Sequence, residues 1–197
     1  MRLYRKHMRV IGGTAKRRQL RAPGVPGLRP TSDRVREAIF DILASLGAVE
    51  GASVLDAYAG SGALGIEALS RGAGSVCLVE ADRRAVAAIR ANLDSTGFGS
   101  SPAVRVVRAE VLEFLAREPG TRYDLALIDP PYSFDDWLSL LGLLQADLAV
   151  LESSAPVALP TSFLVRREYR YGGTLVTLVE ARGLGRHDPR TTEKDTV

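Results

Sequence analysis

The sequence predicts an α/β fold: an open, mainly parallel sheet of seven strands, helices on both faces, and an antiparallel hairpin at the end. Three observations carry this. From residue 53 onward, short apolar runs alternate four times with runs of helical periodicity. Two later apolar runs are joined by Gly172-Gly173, a hairpin signal. The chain has 197 residues, 46% hydrophobic and 25% charged, enough for one domain with a sizeable core.

Residues 1–30 are turn-rich and basic. RVIGG (9–13) and RQLRAP (18–23) read as the strands of a short hairpin around TAKR, and GVPGLRP (24–30) as a turning connection. A helix follows in TSDRVREAIFDILASLG (31–47). There Val35, Ile39, Ile42 and Leu46 share a face, Ser32 or Asp33 caps the start, and Gly47 the end. SVLDA (53–57) is the first strand of the alternating series, and ALGIEALSRG (63–72) is its helix, closed by Gly72. SVCLVEA (75–81) and DRRAVAAIRANLDSTG (82–97) repeat the unit, with Asp82 and Gly97 at the helix ends. AVRVVRA (103–109) precedes the helix EVLEFLARE (110–118). YDLALI (123–128) stops at a double proline before the helix DDWLSLLGLLQADL (135–148). SFLVRREYRY (162–171) and TLVTLVEA (174–181) form the hairpin, and the polar tail 183–197 reads as disordered. The chain therefore divides into a basic extension (1–30), a main domain (31–182) and a tail (183–197).

No apolar run approaches the roughly 18 residues of a membrane span. The one cysteine, Cys77, sits in a buried-strand pattern; it excludes an intrachain disulfide and fits a reducing cytoplasm. His7 and His187 lie in polar termini, and no metal-ligand spacing exists. Trp137 reads as packing. Charge is unevenly spread. Residues 1–36 hold eleven Lys/Arg against Asp33 alone, a net +10, leaving −7 for residues 37–197. Such an arm suits an anionic partner, most simply nucleic acid. Arg9, Lys16, Arg17, Arg18, Arg34 and Arg36 are its candidate contacts. Arg166, Arg167 and Arg170 could add to that surface or simply be an exposed strand face.

Ligands of such sheets lie beyond the carboxyl ends of the strands, where strand order reverses. Asp56, Glu80, Ala109-Glu110 and Asp129 occupy those ends. Between the first strand and its helix, Gly60, Gly62 and Gly65 spell G-x-G-x-x-G, a spacing shared by dinucleotide sites. The neighbouring acids decide between cofactors. A carboxylate about 4 Å from a pyrophosphate costs on the order of 4 kcal/mol at an effective dielectric near 20. S-adenosylmethionine has no phosphate and carries an ammonium and a sulfonium, which acids attract. Glu80 is placed for ribose hydroxyls, and Ala109-Glu110 for the adenine edge. The candidate loop comprises Asp56, Tyr58, Ala59, Gly60, Ser61 and Gly62, with Glu80-Ala81 on the next strand.

Asp129-Pro130-Pro131-Tyr132 closes the fourth strand. Neither proline has an N–H and both fix φ, so the turn is stiff and presents acceptors without donors. It suits an exocyclic amine, whose two hydrogens it can accept while the nitrogen lone pair is aimed at a methyl carbon. An aspartate, whose reference pKa is about 3.9, is too weak a base to deprotonate an aromatic amine first. The role of Asp129 is to orient the amine, the proton leaving afterwards. Tyr132 is placed to stack on an unstacked base.

RVIGGTAKRRQL, LRPTSDRVREAIFDIL, VLDAYAGSGALGIEALSRGA, IDPPY and YGGT, in that order, resemble the RsmD-type bacterial methyltransferases. The resemblance implies a Rossmann-like class I methyltransferase core using S-adenosylmethionine on a guanine N2 of 16S rRNA, the family target being guanine 966. The partner would be that RNA or the small ribosomal subunit, and nothing demands more than a monomer. It also implies that Arg29, Thr31 and Arg34, in the R-P-T-x-D-R run, lie over the cofactor and the RNA entrance. In one place the chain departs from the family pattern. Where a longer stretch with a full apolar strand ending in an acid is expected, only AVLESSAPVALPT (149–161) stands, so AVLESS reads as a shortened fifth strand. Two other functions fit the residues: adenine-N6 methylation of DNA or RNA, and non-catalytic RNA binding in ribosome assembly.

Overall fold

In the computed structural model, which describes residues 8–22 and 33–182, the alternating pattern becomes a sheet whose strand order reverses at its centre. The elements run β1 (Met8–Arg9), β2 (Gln19–Leu20), α1 (Asp33–Ser45), β3 (Ser53–Ala57), α2 (Ala63–Ser70), β4 (Ser75–Glu80) and α3 (Arg83–Thr96). They continue with β5 (Val104–Arg108), α4 (Val111–Arg117), β6 (Tyr123–Ile128), α5 (Trp137–Leu143), β7 (Ala146–Ser153), β8 (Phe163–Tyr171) and β9 (Thr174–Ala181). The seven-stranded sheet has the order β5-β4-β3-β6-β7-β9-β8. Strands β3 to β7 are mutually parallel; β9 runs antiparallel to both β7 and β8.

The parallel strands are buried on both sides, which is why their sequences are nearly continuous apolar runs. On one face, Val54, Leu78, Leu125, Leu127, Leu148 and Val150 pack under α1, α2 and α3. On the other, Leu55, Val79, Ala126, Ile128, Ala149 and Leu151 pack under α4 and α5. Cys77 is a buried member of this second cluster, as its setting predicted. Among the described residues, no helix is long and apolar enough to cross a membrane.

One boundary differs from expectation. The helix predicted over 135–148 ends at Leu143, and Leu144 turns extended (φ −71°, ψ 127°). Residues 146–153 are then an eight-residue strand, not a shortened one, pairing with β6 on one side and β9 on the other. Leu148 to Leu151 are buried on both faces, so the run carries no alternation to separate it from a helix. The sheet is complete, and the end of β7 carries an acid, Glu152.

The hairpin β1–β2 forms in the N-terminal segment, with Met8 opposite Leu20, and packs onto α2 and α3. The Thr14 N–H donates to the Ser70 carbonyl at 2.7 Å, and Ala15 N–H to Ser70 Oγ at 2.9 Å. Gly13 is required there: a Cβ would lie 1.7 Å from the Ser70 oxygen, and φ is +73°. Asn92 of α3 accepts from the Arg21 N–H at 2.8 Å and donates to the Arg21 and Ser61 carbonyls. At the centre of the junction is Glu67 of α2, fully buried. Its carboxylate accepts from the Ile11 and Gly12 N–H groups, each at 2.7 Å, and pairs with Arg71 Nε at 2.8 Å.

Arg36 completes this junction and is therefore not a surface contact, contrary to the sequence expectation. Its side chain is 0% exposed, with Nε 3.9 Å from Glu67, and Nη2 donating to Asp33 and to the Arg9 carbonyl. The guanidinium is drawn inward because α1 must close over a buried carboxylate. Burial in turn lowers the Arg36 pKa, against the pull of Asp33 and Glu67. Arg9, Lys16, Arg17, Arg18 and Arg34 are exposed, as expected of the basic surface. Arg29, Thr31, the Ser32 cap, the 24–30 connection and the 183–197 tail lie outside the described residues.

Candidate active site

The strand order reverses at β3, with β4 on one side and β6 on the other, so a crevice opens at the carboxyl ends of β3 and β6. The sequence puts the glycine loop on one lip and the double-proline turn on the other. The structure joins them through the Asp129 N–H, which reaches the Ala57 carbonyl at 3.5 Å.

The loop after β3 turns sharply because three residues in five take left-handed conformations: Tyr58 (φ 60°), Gly60 (φ 56°) and Gly62 (φ 76°). At Tyr58 this costs roughly 1–2 kcal/mol, a strain typical of ligand-facing backbone. Interlocking bonds hold the turn. Ala59 N–H donates to the Val79 carbonyl at 3.0 Å and Gly62 N–H to the Ala59 carbonyl at 2.6 Å. Glu80 accepts from the Gly60 N–H through Oε2 and from the Asp82 N–H through Oε1, both at 2.8 Å. Its carboxylate thus clamps the loop to β4 as well as ending the strand toward the crevice. Ala81 is half-buried at the rim, and its carbonyl accepts from Arg108 Nε at 3.3 Å. The Ala109 N–H bonds the Glu80 carbonyl at 3.2 Å, and Glu110 stays exposed at the start of α4. Ser61 is buried against Met8 of the hairpin.

Asp56 lies behind the loop rather than on its surface. It is 1% exposed, and Oδ2 accepts from the Gly65 N–H at 2.8 Å. A Cβ on residue 65 would come within 2.9 Å of that oxygen, so the third glycine of the motif serves this approach. Oδ1 has no hydrogen-bond partner among the described residues. Burial pushes the Asp56 pKa well above the ordinary carboxylate value, opposed by the Gly65 bond and reinforced by the negative fields of Asp129 and Glu80. A crevice in which two neighbouring carboxylates act on a third favours a cationic occupant and disfavours phosphate.

Asp129 and Pro130 sit at the end of β6, Pro130 buried and Pro131 exposed. The Pro131 carbonyl accepts from Phe134 N–H at 2.8 Å, which closes the turn. Tyr132 is 54% exposed, and its hydroxyl lies 3.2 Å from Thr174 Oγ1 on the terminal hairpin. An exposed ring held at its far end is available for stacking. Phe134 carries no sequence signal that singles it out. It meets Tyr58 at 5.5 Å and Trp137 edge-on at 5.3 Å, so an aromatic row ties the glycine loop to α5. Burial, with Glu110 and Asp136 nearby, pushes the Tyr58 hydroxyl to about 12, keeping it neutral. Trp137 packs as expected but also lines a cavity.

That cavity, about 410 Å³, opens beside the proline turn. Pro130, Pro131, Tyr132, Phe134 and Trp137 form one wall; Glu152, Ser153 and Pro156 form another. The second wall comes from the end of β7 and the loop beyond it, the region that reads in the sequence as shortened. The apolar character of Ala149 to Leu151 was the only available signal.

Comparison with known proteins agrees with this fold. The family model described as conserved hypothetical protein 95 matches residues 8–180. The chain is similar to the ribosomal RNA small subunit methyltransferase D of Escherichia coli K12, 39% identical over 165 residues, covering 84% of this chain and 77% of that protein. Its counterpart in Haemophilus influenzae is 31% identical, covering 84% and 89% respectively. Among solved structures, a hypothetical protein of a Thermus species superposes with a TM-score of 0.74 at 35% identity, covering 88% of this chain and 99% of that one.

Proposed function

Since the chain belongs to the conserved hypothetical protein 95 family, the RsmD family of methyltransferases, we propose that it methylates a guanine N2 in 16S rRNA, using S-adenosylmethionine. The observation that carries the reading is the meeting of the acidic glycine loop and the Asp129–Tyr132 turn at one crevice.

The residues present fit the cofactor. The acids around the loop suit an ammonium and a sulfonium, and behind them the buried Asp56 Oδ1 has no hydrogen-bond partner among the described residues. Glu80 and the backbone around Ala109 are placed for the ribose and the adenine. The bound cofactor supplies an electrophilic methyl group. The protein contributes position and polarity. Asp129 and the Pro130 carbonyl accept the two hydrogens of the amine, which takes its lone pair out of the ring. Pro130 and Pro131 keep N–H donors away from that nitrogen. Tyr132 covers the base face, and the Tyr58–Phe134–Trp137 row fixes the distance between the two lips. Once the nitrogen has become cationic, its proton is acidic enough to leave by way of Asp129. The exposed Lys16, Arg17 and Arg18 at the hairpin tip, with Arg9 and Arg34, hold RNA phosphates.

The reading is tested by transfer of radiolabelled methyl from S-adenosylmethionine to undermethylated 16S rRNA, to small ribosomal subunits and to DNA. Label in RNA or subunits and none in DNA is expected. Label in DNA alone, or no transfer at all, would overturn it.

A further inference from the structure

We propose that Glu152 selects guanine over adenine at this site by accepting the N1–H of the purine, an inference that rests on the methyl-transfer reading above. Strands β6 and β7 are parallel, with Ile128 opposite Leu151. The next residues, Asp129 and Glu152, therefore leave adjacent strand ends about 4.8 Å apart. Side chains alternate along a strand, so Glu152 follows Leu148 and Val150 on the face that also carries Val54 and Asp56. Asp129 acts electrostatically on Asp56, and Arg36 of α1, on the same face, is within the field of Glu152. Both residues thus follow adjacent strands on the same face of the sheet.

The cavity beside them is the right kind of space. Its volume falls within the range of small-ligand sites. Its walls are mostly proline, aromatic and small side chains, with no Lys, Arg or His among the described residues. Three acidic residues are among those that line it: Asp135 and Asp136 are exposed, whereas Glu152 is 4% exposed. An ionised carboxylate is an acceptor only. The reacting edge of guanine carries two adjacent donors, N2–H and N1–H, and a pair of acceptors from neighbouring strands matches them. Adenine offers its N6–H donors beside an unprotonated N1, whose lone pair would face Glu152 without a hydrogen between them. Sites built around a specific hydrogen bond can reject the analogue lacking it by as much as about 10⁴-fold.

The experiment compares two RNA fragments that differ only at the methylated nucleotide, guanine in one and 2-aminopurine in the other. 2-Aminopurine keeps the reacting amine but has no N1–H. The native protein should prefer guanine by about 100-fold or more in kcat/KM. Glu152→Ala should lower the guanine rate at least about 30-fold and leave the 2-aminopurine rate nearly unchanged, collapsing the preference. Glu152→Gln keeps the volume and offers an amide donor to the unprotonated N1, so its 2-aminopurine rate should rise. Affinity for S-adenosylmethionine should be unaltered in both variants. An unchanged preference in the folded Gln variant, or an equal fall on both substrates in the Ala variant, would overturn the proposal while guanine methylation itself stood. Methylation of adenine by the native protein would instead overturn the parent reading.

Discussion

Removing the Glu67 carboxylate tests the packing of the hairpin onto the core. In the native protein, Glu67 accepts two backbone N–H bonds from Ile11 and Gly12 and pairs with Arg71 and Arg36. Glu67→Ala leaves both N–H groups and the fully buried Arg36 guanidinium short of their shared partner. Each charge-assisted bond contributes about 1.5–3 kcal/mol, and breaking a buried pair by removing one member costs about 3–5 kcal/mol. These contributions overlap, so the loss should be about 3–5 kcal/mol, a large share of the ~5–15 kcal/mol typical of a domain. Glu67→Gln retains an acceptor for one N–H and should lose about 2–3 kcal/mol. Urea denaturation followed by Trp137 fluorescence gives the loss, and limited proteolysis in native buffer reports whether residues 8–22 detach first. A loss under about 1 kcal/mol for Glu67→Ala, with the hairpin still protected, would refute the electrostatic account of the junction.

Three further outcomes are expected. Asp129→Ala should retain cofactor affinity and lose at least about ten- to a hundredfold in turnover, the equivalent of ~1.5–3 kcal/mol of hydrogen bonding to the amine; unchanged turnover would remove the role given to it. Asp56 has a folded pKa above its unfolded one, so its stabilising contribution is fully present below the unfolded value and lost as pH rises through the folded value. Asp56→Asn, always neutral, should therefore gain stability relative to the native protein as pH is raised from about 4 to about 8, and parallel denaturation curves would contradict this. Replacing Lys16, Arg17 and Arg18 by Gln should weaken RNA binding and flatten its salt dependence by up to about three phosphate contacts, without altering thermal stability. An identical slope would show the tip to be a bystander.

The sequence revealed what local chemistry determines. The glycine loop, the double-proline turn and the Gly172-Gly173 hairpin are written in residues that admit few backbone conformations, and the structure puts each where it was expected. The α5–β7 boundary was not legible, because a strand buried on both faces has no alternation and its neighbouring helix is equally apolar. Arg36 shows a different limit. Counted with the basic arm, it looks like a phosphate contact, but its partner Glu67 lies on another helix far along the chain, and only folding brings them together. Glu152 stands in the AVLESS run that the sequence reads as strand, but only folding sets it at the strand end beside that of Asp129.

The central claim, that the crevice presents an amine of guanine to a cationic methyl donor, is tested most directly by the methylated nucleoside itself. Undermethylated small subunits are incubated with the protein and S-adenosylmethionine, the RNA is digested, and the nucleosides are separated and identified by mass spectrometry. N2-methylguanosine is the predicted product, formed at least about ten- to a hundredfold more slowly by Asp129→Ala. N6-methyladenosine, or a methyl group on a ring atom or ribose, would contradict the account.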